Sequence, residues 1–226
     1  MKYNIFDCNY LFHIHTIHTD GFLSVRDYFD FAGSVGIERV IFLEHIRRRP
    51  TYDTAEFARQ VRECSAASGI PASVGFEAKL LADGRLDIAP EAIELADVIG
   101  IAEHGFPPDF ALLRDAFSRA VEDCRDLVHR KEIVWAHPGL WLKKNNLFDL
   151  YMNNYIYMIN LAIDCGIKIE RNLRYDLVLP EVASRIDRSN LVLGVDCHKM
   201  SDLSDWHTLF VAGDEASPDA QRPRKV

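Results

Sequence analysis

Short apolar segments alternate with longer amphipathic or polar segments along most of the chain. The apolar segments are β-branched or otherwise apolar on both faces, as the strands of a buried parallel sheet are. They predict seven strands, over residues 10–15, 39–44, 72–77, 97–102, 133–136, 167–170 and 191–195. Seven strands with helical or loop returns make a repeating β-α pattern, which is typical of a parallel α/β fold.

The segments between the strands carry the signals of helices. Ser24 precedes an acidic first turn and Gly36 suits a helix end, so the first helix is predicted between them. Further helices are predicted over residues 53–68, 90–96, 110–130 and 146–166. One β-α unit takes roughly 30 residues, so the chain has room for seven units, whereas eight would be tight. We expect one domain over residues 1–211 and a polar, flexible tail over residues 212–226.

Composition narrows the class of protein. The chain has 226 residues, of which 48% are hydrophobic, and a net charge of −8, so it is long enough to bury a full core. It has no apolar run of about 18 residues and no signal-peptide pattern, so no membrane partner is expected. Five well-separated cysteines fit a reducing cytoplasm better than a disulfide framework. The acidic balance argues against a nucleic-acid polymer as partner, and the oligomeric state stays open.

Side chains that can bind metals lie at the ends of the predicted strands. The stretch FHIHTIHTDG, residues 12–21, alone holds three of the nine histidines, and every other predicted strand ends in a histidine or an acid or is directly followed by one. In a β/α barrel, the carboxyl ends of the strands form the face that carries the active site. The candidate metal ligands are His13, His15, Asp20, His45, Glu77, His104, His137, Asp196 and His198.

The donor types restrict the choice of ion. Imidazole nitrogen and carboxylate oxygen, without a thiolate pattern, suit zinc, manganese or iron. One zinc ion takes about four ligands, and catalytic sites leave a position open. Nine donors therefore predict two or three divalent ions. Cys197 lies between Asp196 and His198, so we expect its side chain to face away from them as a packed thiol.

Six short motifs in this donor set resemble those of the PHP family, named for polymerase and histidinol phosphatase. HIHTIHTDG resembles the family's H-x-H-T-x-x-S-D-G, FLEH its T-D-H, GFE its G-x-E, AHPG its A-H-P, IERN its I-E-x-N and GVDCH its G-x-D-x-H. The resemblance covers residues 11 to about 203, in order. Glu44 is a departure, since the family usually has aspartate there.

The resemblance implies a distorted seven-stranded (β/α)7 TIM-like barrel of the PHP type with a trinuclear metal centre. It also implies a division of the donors among three ions, in which Glu77 bridges two of them. The sets are His13, His15, Glu77 and Asp196 for the first ion, Glu77, His104 and His137 for the second, and Asp20, His45 and His198 for the third.

Members of that family commonly hydrolyse phosphate esters, and the chemistry of paired ions agrees. Ions roughly 3.5–4 Å apart bind the attacking and leaving oxygens of an in-line displacement, and metal-bound water reaches a pKa of about 7. No cysteine or serine nucleophile with an adjacent base is evident, which favours attack by a metal-bound hydroxide. We expect a phosphomonoesterase, similar to histidinol phosphatase, that acts on a small phosphorylated metabolite.

Other residues are candidates for binding the phosphate and for moving protons. Four basic residues follow a site position by one to three residues and are candidate phosphate ligands: Arg47, Lys79, Arg171 and Lys199. Asp20 and Glu170 are the candidate acids for the leaving group, and the sequence does not choose between them. His18 receives no role.

Three other functions remain open: a metal-dependent amidohydrolase, a phosphodiesterase or exonuclease, and a non-catalytic metal-binding domain. Amidohydrolases usually have eight strands and often a carbamylated lysine bridge, whereas here the candidate bridge is Glu77. A nuclease would need a basic groove that the sequence does not show. The full donor set disfavours a domain without turnover.

Overall fold

The computed structural model describes residues 5–216, which form a layer of helices around a curved, mostly parallel sheet. The strands are β1 (Tyr10–Phe12), β2 (Arg39–Ile41), β3 (Glu44–Ile46), β4 (Ala72–Ser73), β5 (Gly75–Leu80), β6 (Leu86–Asp87), β7 (Val98–Ala102), β8 (Glu132–Trp135), β9 (Lys168–Asn172) and β10 (Leu191–Gly194). The helices are α1 (Val25–Val35), α2 (Thr54–Ser68), α3 (Pro90–Leu95), α4 (Phe110–Asp123), α5 (Leu140–Lys144), α6 (Phe148–Asp164), α7 (Pro180–Ala183) and α8 (Met200–Ala216), with 3-10 turns at Leu127–His129 and Arg188–Asn190.

The strands form a ring. One sheet has the order β1-β2-β4 and the other has β10-β9-β8-β7-β5-β3, with β6 antiparallel to β5. The pairs β2 and β3, and β4 and β5, are successive halves of two predicted strands, so they join the two sheets. The ring closes after β1 and β10, where the N–H of Cys197 donates to the His13 carbonyl at 3.0 Å and the N–H of His15 donates to the Cys197 carbonyl at 2.9 Å. The predicted distorted seven-stranded β/α barrel is confirmed.

Two apolar cores support the barrel. The larger core fills the space between the strands and the surrounding helices. A smaller, separate core consists of Phe12, Ile41, Leu43, Val98, Val134, Ala136 and Val192. By strand alternation these smaller-core residues share the inward face with Glu77 and Glu170, so they fill the barrel beneath the strand ends. The polar strand ends therefore lie directly above a packed apolar core.

The helix boundaries show which sequence signals were sufficient. Ser24 and Asp27 form a capping box at the start of α1, and Gly36 ends that helix with a φ of 76°, as predicted. The helix predicted over 110–130 ends at Asp123 and is followed by a 3-10 turn. The short helices α5 and α7 were not predicted.

The last helix was not predicted either, and it extends into the segment that was expected to be a flexible tail. Helix α8 continues to Ala216, five residues into the segment expected to be a flexible tail. The rest of that segment, 217–226, lies outside the described residues. Among the helices of residues 5–216, none combines the length and apolar character that a membrane span requires.

Candidate metal centre

The carboxyl end of the barrel gathers the nine predicted donors into one cluster. They fall into four overlapping groups, within each of which one ligand atom per residue lies within 4.8 Å of the others. The groups are His15, Asp20, His45 and His198; His13, His15 and Glu77; His13, His137 and Asp196; and His45, Glu77 and His104. The fold thus brings together side chains that lie on β3 and β5 and side chains that follow β1, β7, β8 and β10.

Three of these donors have a backbone conformation that non-glycine residues rarely adopt. The φ angles are 62° at His13, 33° at His137 and 55° at Asp196. Each such residue costs of order 1 kcal/mol or more, and such strain persists where the surrounding structure fixes it, often at functional sites. The prediction that the first strand runs to His15 is therefore wrong, because β1 ends at Phe12 and the chain turns at His13. The rings of His13 and His15 still lie 5.1 Å apart between centroids.

Glu170 lies behind the donors rather than among them. Its Oε1 is 2.6 Å from Nδ1 of His13, and its Oε2 accepts a hydrogen bond from the backbone N–H of His137. Gly194 makes room for it, since a Cβ there would lie 1.6 Å from Oε1 of Glu170. The carboxylate is fully buried and contacts His13 and His137, and the role of Glu170 as the acid for the leaving group stays a prediction that this position does not favour.

Glu44 and Asn172 also support the donors by hydrogen bonds, Glu44 through the loop that carries Asp20 and Asn172 through Asp196. Glu44 is buried and accepts hydrogen bonds from the N–H and the hydroxyl of Thr16, at 2.8 and 2.5 Å. This contact fixes the start of the loop that carries Asp20. The amide Nδ2 of Asn172 donates to Oδ2 of Asp196 at 3.3 Å. These partners orient the donors before any ion or substrate binds.

The acids and imidazoles of the cluster perturb one another strongly. Burial lowers the pKa of His13, but the carboxylates of Glu170 and Asp196 outweigh it and raise that pKa to about 9. Burial also opposes the charge of His45, and hydrogen bonds with Asp20 and Glu77 raise its pKa to about 10. Despite burial, hydrogen bonds with His137 and His45 hold the pKa of Glu77 well below its usual range. Burial lowers the pKa of His104 to about 4.

Several buried polar atoms in the cluster have no hydrogen-bond partner among the described residues. They include Nε2 of His13, both ring nitrogens of His15 and Nδ1 of His137. An unpaired buried polar group costs about 1–3 kcal/mol, so a concentration of them needs an explanation. Lone pairs of nitrogen and carboxylate oxygen that converge from several sides match the donors that zinc, manganese and iron prefer. The residues present therefore fit divalent cations.

Two of the predicted phosphate ligands lie at the mouth of the barrel. Lys79 lies on the same face of β5 as Glu77, one step nearer the mouth, and its Nζ is 3.1 Å from where a Cβ on Gly105 would lie. The guanidinium of Arg47 donates to the carbonyl of Ile46 and lies 3.7 Å from Asp87. Lys199 is exposed at the start of α8.

Arg171 is the misplaced candidate. It is next to Glu170 on β9, so its side chain leaves the opposite face of the strand, away from the barrel interior. Its guanidinium pairs with Asp176 at 2.5 Å. This position does not favour the prediction that Arg171 binds phosphate, which stays a prediction.

Sequence reasoning missed Arg174 and Tyr175, which follow the IERN motif. Nη1 of Arg174 lies 2.6 Å from Nδ1 of His198 and donates to the carbonyl of Asp196 at 3.0 Å. The ring of Tyr175 lies 5.8 Å from that of His137. Asn172 holds this loop, because its Oδ1 accepts from the N–H of Tyr175 at 3.0 Å. A search two or three residues beyond the motif would have found both residues, but no periodicity points to a loop.

Glu103, which directly follows β7, is a buried acid beside the cluster. Its side chain is almost fully buried and accepts a hydrogen bond from the N–H of Trp141 at 3.1 Å. Burial raises its pKa to about 7. His18 lies outside the four groups, with a ring nitrogen 3.1 Å from Oε1 of Gln60. Cys197 is buried, and its sulfur lies 3.5 Å from the hydroxyl of Tyr28.

Solved structures share this fold. Histidinol phosphate phosphatase from Lactococcus lactis subsp. lactis Il1403, complexed with zinc, L-histidinol and phosphate, matches with a TM-score of 0.57 and 13% identity, over 90% of this chain and 93% of that one. A two-domain protein from Bacteroides vulgatus ATCC 8482, containing a predicted PHP-like metal-dependent phosphoesterase, matches with a TM-score of 0.55 and 20% identity, over 89% of this chain and 55% of that one. Comparison of the sequence with family models and with curated proteins gives no match. The chain therefore has the fold of PHP-type phosphoesterases, at identities that establish the fold alone.

Proposed function

We propose that this protein is a metal-dependent phosphoesterase that hydrolyses phosphate monoesters of small molecules. The observation that carries the proposal is the cluster of nine donors at the strand ends, in which buried lone pairs converge without hydrogen-bond partners. The Lactococcus protein with the same fold was solved with zinc and phosphate, which supports the same class of ion and substrate here.

The nine donors would hold two or three divalent ions. The division that we propose is the one that the PHP resemblance implies. Glu77 belongs to two of the four groups, one with His13 and His15 and one with His45 and His104, which supports it as the bridging carboxylate. The overlap of the groups favours closely spaced ions over isolated sites.

Bound divalent ions would supply Lewis acidity, which neutralises the phosphoryl oxygens and makes water more acidic. The remaining work falls to the chain's own residues. Arg174 and Lys79, at two sides of the mouth, bind phosphate oxygens through their N–H groups. Hydrogen bonds with His198 and His45 hold the pKa of the half-exposed Asp20 far below its usual range, so its carboxylate is ionised, as a metal ligand has to be. Glu170 keeps the ring of His13 and the backbone of His137 in place.

The test is phosphate release by protein loaded separately with zinc, manganese or iron. The substrates are small phosphomonoesters, including L-histidinol phosphate, with a phosphodiester and a set of amides for comparison. Hydrolysis of monoesters, abolished by His15→Ala and kept by His129→Ala, is the expected result, because His129 is exposed in a 3-10 turn away from the cluster.

The outcomes separate the alternatives. Bound metal, established by elemental analysis, without release of phosphate from any ester would overturn the proposal and favour a non-catalytic metal-binding domain. Cleavage of amides alone would favour an amidohydrolase. A strong preference for the diester would favour a phosphodiesterase.

A further inference from the structure

Large apolar side chains are exposed beside the candidate metal centre. Of the five such side chains in the described residues, Ile17, Phe22 and Met200 are 62%, 78% and 45% exposed. Each lies two residues after a predicted ligand, in the order His15, Asp20 and His198. The other two, Leu150 and Tyr157, lie on α6. We call Ile17, Phe22 and Met200 the apolar rim.

Hydrogen bonds bring the segments of the apolar rim together. The N–H of Phe22 donates to the carbonyl of His198 at 2.7 Å, so Phe22 lies beside the segment that leads to Met200. The N–H of Ile17 donates to the carbonyl of Leu23 at 3.0 Å, which holds Ile17 beside the segment that contains Phe22. The two segments also meet through their donors, because Nε2 of His198 lies 3.4 Å from Oδ2 of Asp20.

This placement limits what the rim can contact. Exposed apolar side chains grouped beside a polar site can contact a ligand bound there, and this contact removes them from water. Cations and N–H donors would bind a phosphate group in the centre. The apolar rim would then lie beside the rest of the ester. The group within its reach is therefore the alcohol that leaves.

We infer that the apolar rim binds the alcohol part of the substrate, so that the preferred substrates are phosphate monoesters of apolar alkyl or aryl alcohols. The inference rests on the proposed function and names its substrate class. Phe22 carries most of the contact, because it is the largest and most exposed side chain of the three.

Binding of alkylphosphonates tests the inference without turnover. They carry the same charged group but are not hydrolysed. Calorimetry on the metal-loaded protein is expected to give a Kd for hexylphosphonate at least about tenfold below that for methylphosphonate, because burial of added methylenes is favourable. Phe22→Ser and Met200→Ser should each reduce this ratio about threefold, and Phe22→Leu should largely keep it. Leu150→Ser is the matched control, as Leu150 is 66% exposed on α6, and it should leave the ratio unchanged.

A kinetic comparison separates this inference from the proposed function. Ethyl and hexyl phosphate have leaving groups of similar pKa, so a higher kcat/KM for the hexyl ester reports contact with the chain. Turnover of both esters at equal kcat/KM, or equal affinity for the two phosphonates, would overturn the inference and leave the proposed function standing. Preferential binding of hexylphosphonate without turnover of any ester would support the apolar rim and count against the phosphoesterase. Failure of both phosphonates to bind would overturn the inference.

Discussion

Oε1 of Glu170 lies 2.6 Å from Nδ1 of His13, and both side chains are fully buried. The second oxygen of Glu170 accepts from the backbone N–H of His137. One carboxylate on β9 therefore orients two donors that follow β1 and β8. A carboxylate behind a ligating histidine fixes the ring and raises its basicity. The affinity of the site for metal should therefore depend on Glu170, although Glu170 is not itself a proposed ligand.

Glu170→Gln should weaken metal binding without unfolding the protein. Loss of such a partner typically costs 10–100-fold, so we expect a decrease of about that size in affinity for zinc. Competition with a chromophoric chelator measures it. Gly194→Ala should cause a similar loss, because its Cβ would displace the Glu170 carboxylate. Glu91→Gln, exposed on α3, is the control, and an unchanged affinity in Glu170→Gln would contradict the positioning role.

Glu77→Gln should reduce the number of bound ions by more than one. Glu77 lies in two donor groups, whereas Asp20 lies in one. A carboxamide is a weaker ligand than a carboxylate and bridges ions poorly. Elemental analysis of the purified variants gives the stoichiometry, and Asp20→Asn should lose no more than one ion. Equal losses in the two variants would argue against a bridge at Glu77.

Arg174→Ala should raise KM for a phosphate monoester about tenfold or more, because a guanidinium contact to phosphate is lost. Arg174→Lys should recover part of this loss, since lysine keeps the charge but not the bidentate geometry. Steady-state kinetics with one ester measures both. Arg114→Ala on α4 is the matched control, as Arg114 pairs with Asp115 on the surface. A KM unchanged in Arg174→Ala would exclude Arg174 from substrate binding.

Glu103 should make the stability of the metal-free protein depend on pH. Its folded-state pKa is raised to about 7 by burial, from an ordinary value of 4.5. Between these values the unfolded chain loses its proton while the folded chain keeps it, so stability falls as the pH rises. Glu103→Gln has no carboxyl group to titrate, so its free energy of unfolding should rise relative to that of the parent protein by about 2 to 3 kcal/mol between pH 5 and pH 8. Urea unfolding of both proteins at pH 5 and at pH 8 measures these free energies. If the variant and the parent differed by the same amount at both pH values, the prediction would be contradicted.

The sequence by itself determined the seven strand segments, the parallel α/β class and the identity of the residues that gather at the strand ends, and the resemblance of its motifs implied the barrel. These features depend on local patterns: runs that are apolar on both faces predict buried strands, and a parallel barrel places all their carboxyl ends on one face. The capping residues Ser24 and Gly36 likewise act within a few residues of themselves, so their signal was sufficient.

Only the tertiary structure decided what each polar side chain at that face does. Glu170 and Arg171 are neighbours in sequence, yet alternation on β9 directs the first beneath His13 and the second away from the barrel interior to Asp176. Arg174 reaches His198 across the mouth because the loop after β9 is held by Asn172. The physical reason is that packing between strands distant in sequence determines which partners a side chain meets across the barrel. The residues next to it in sequence do not specify those partners.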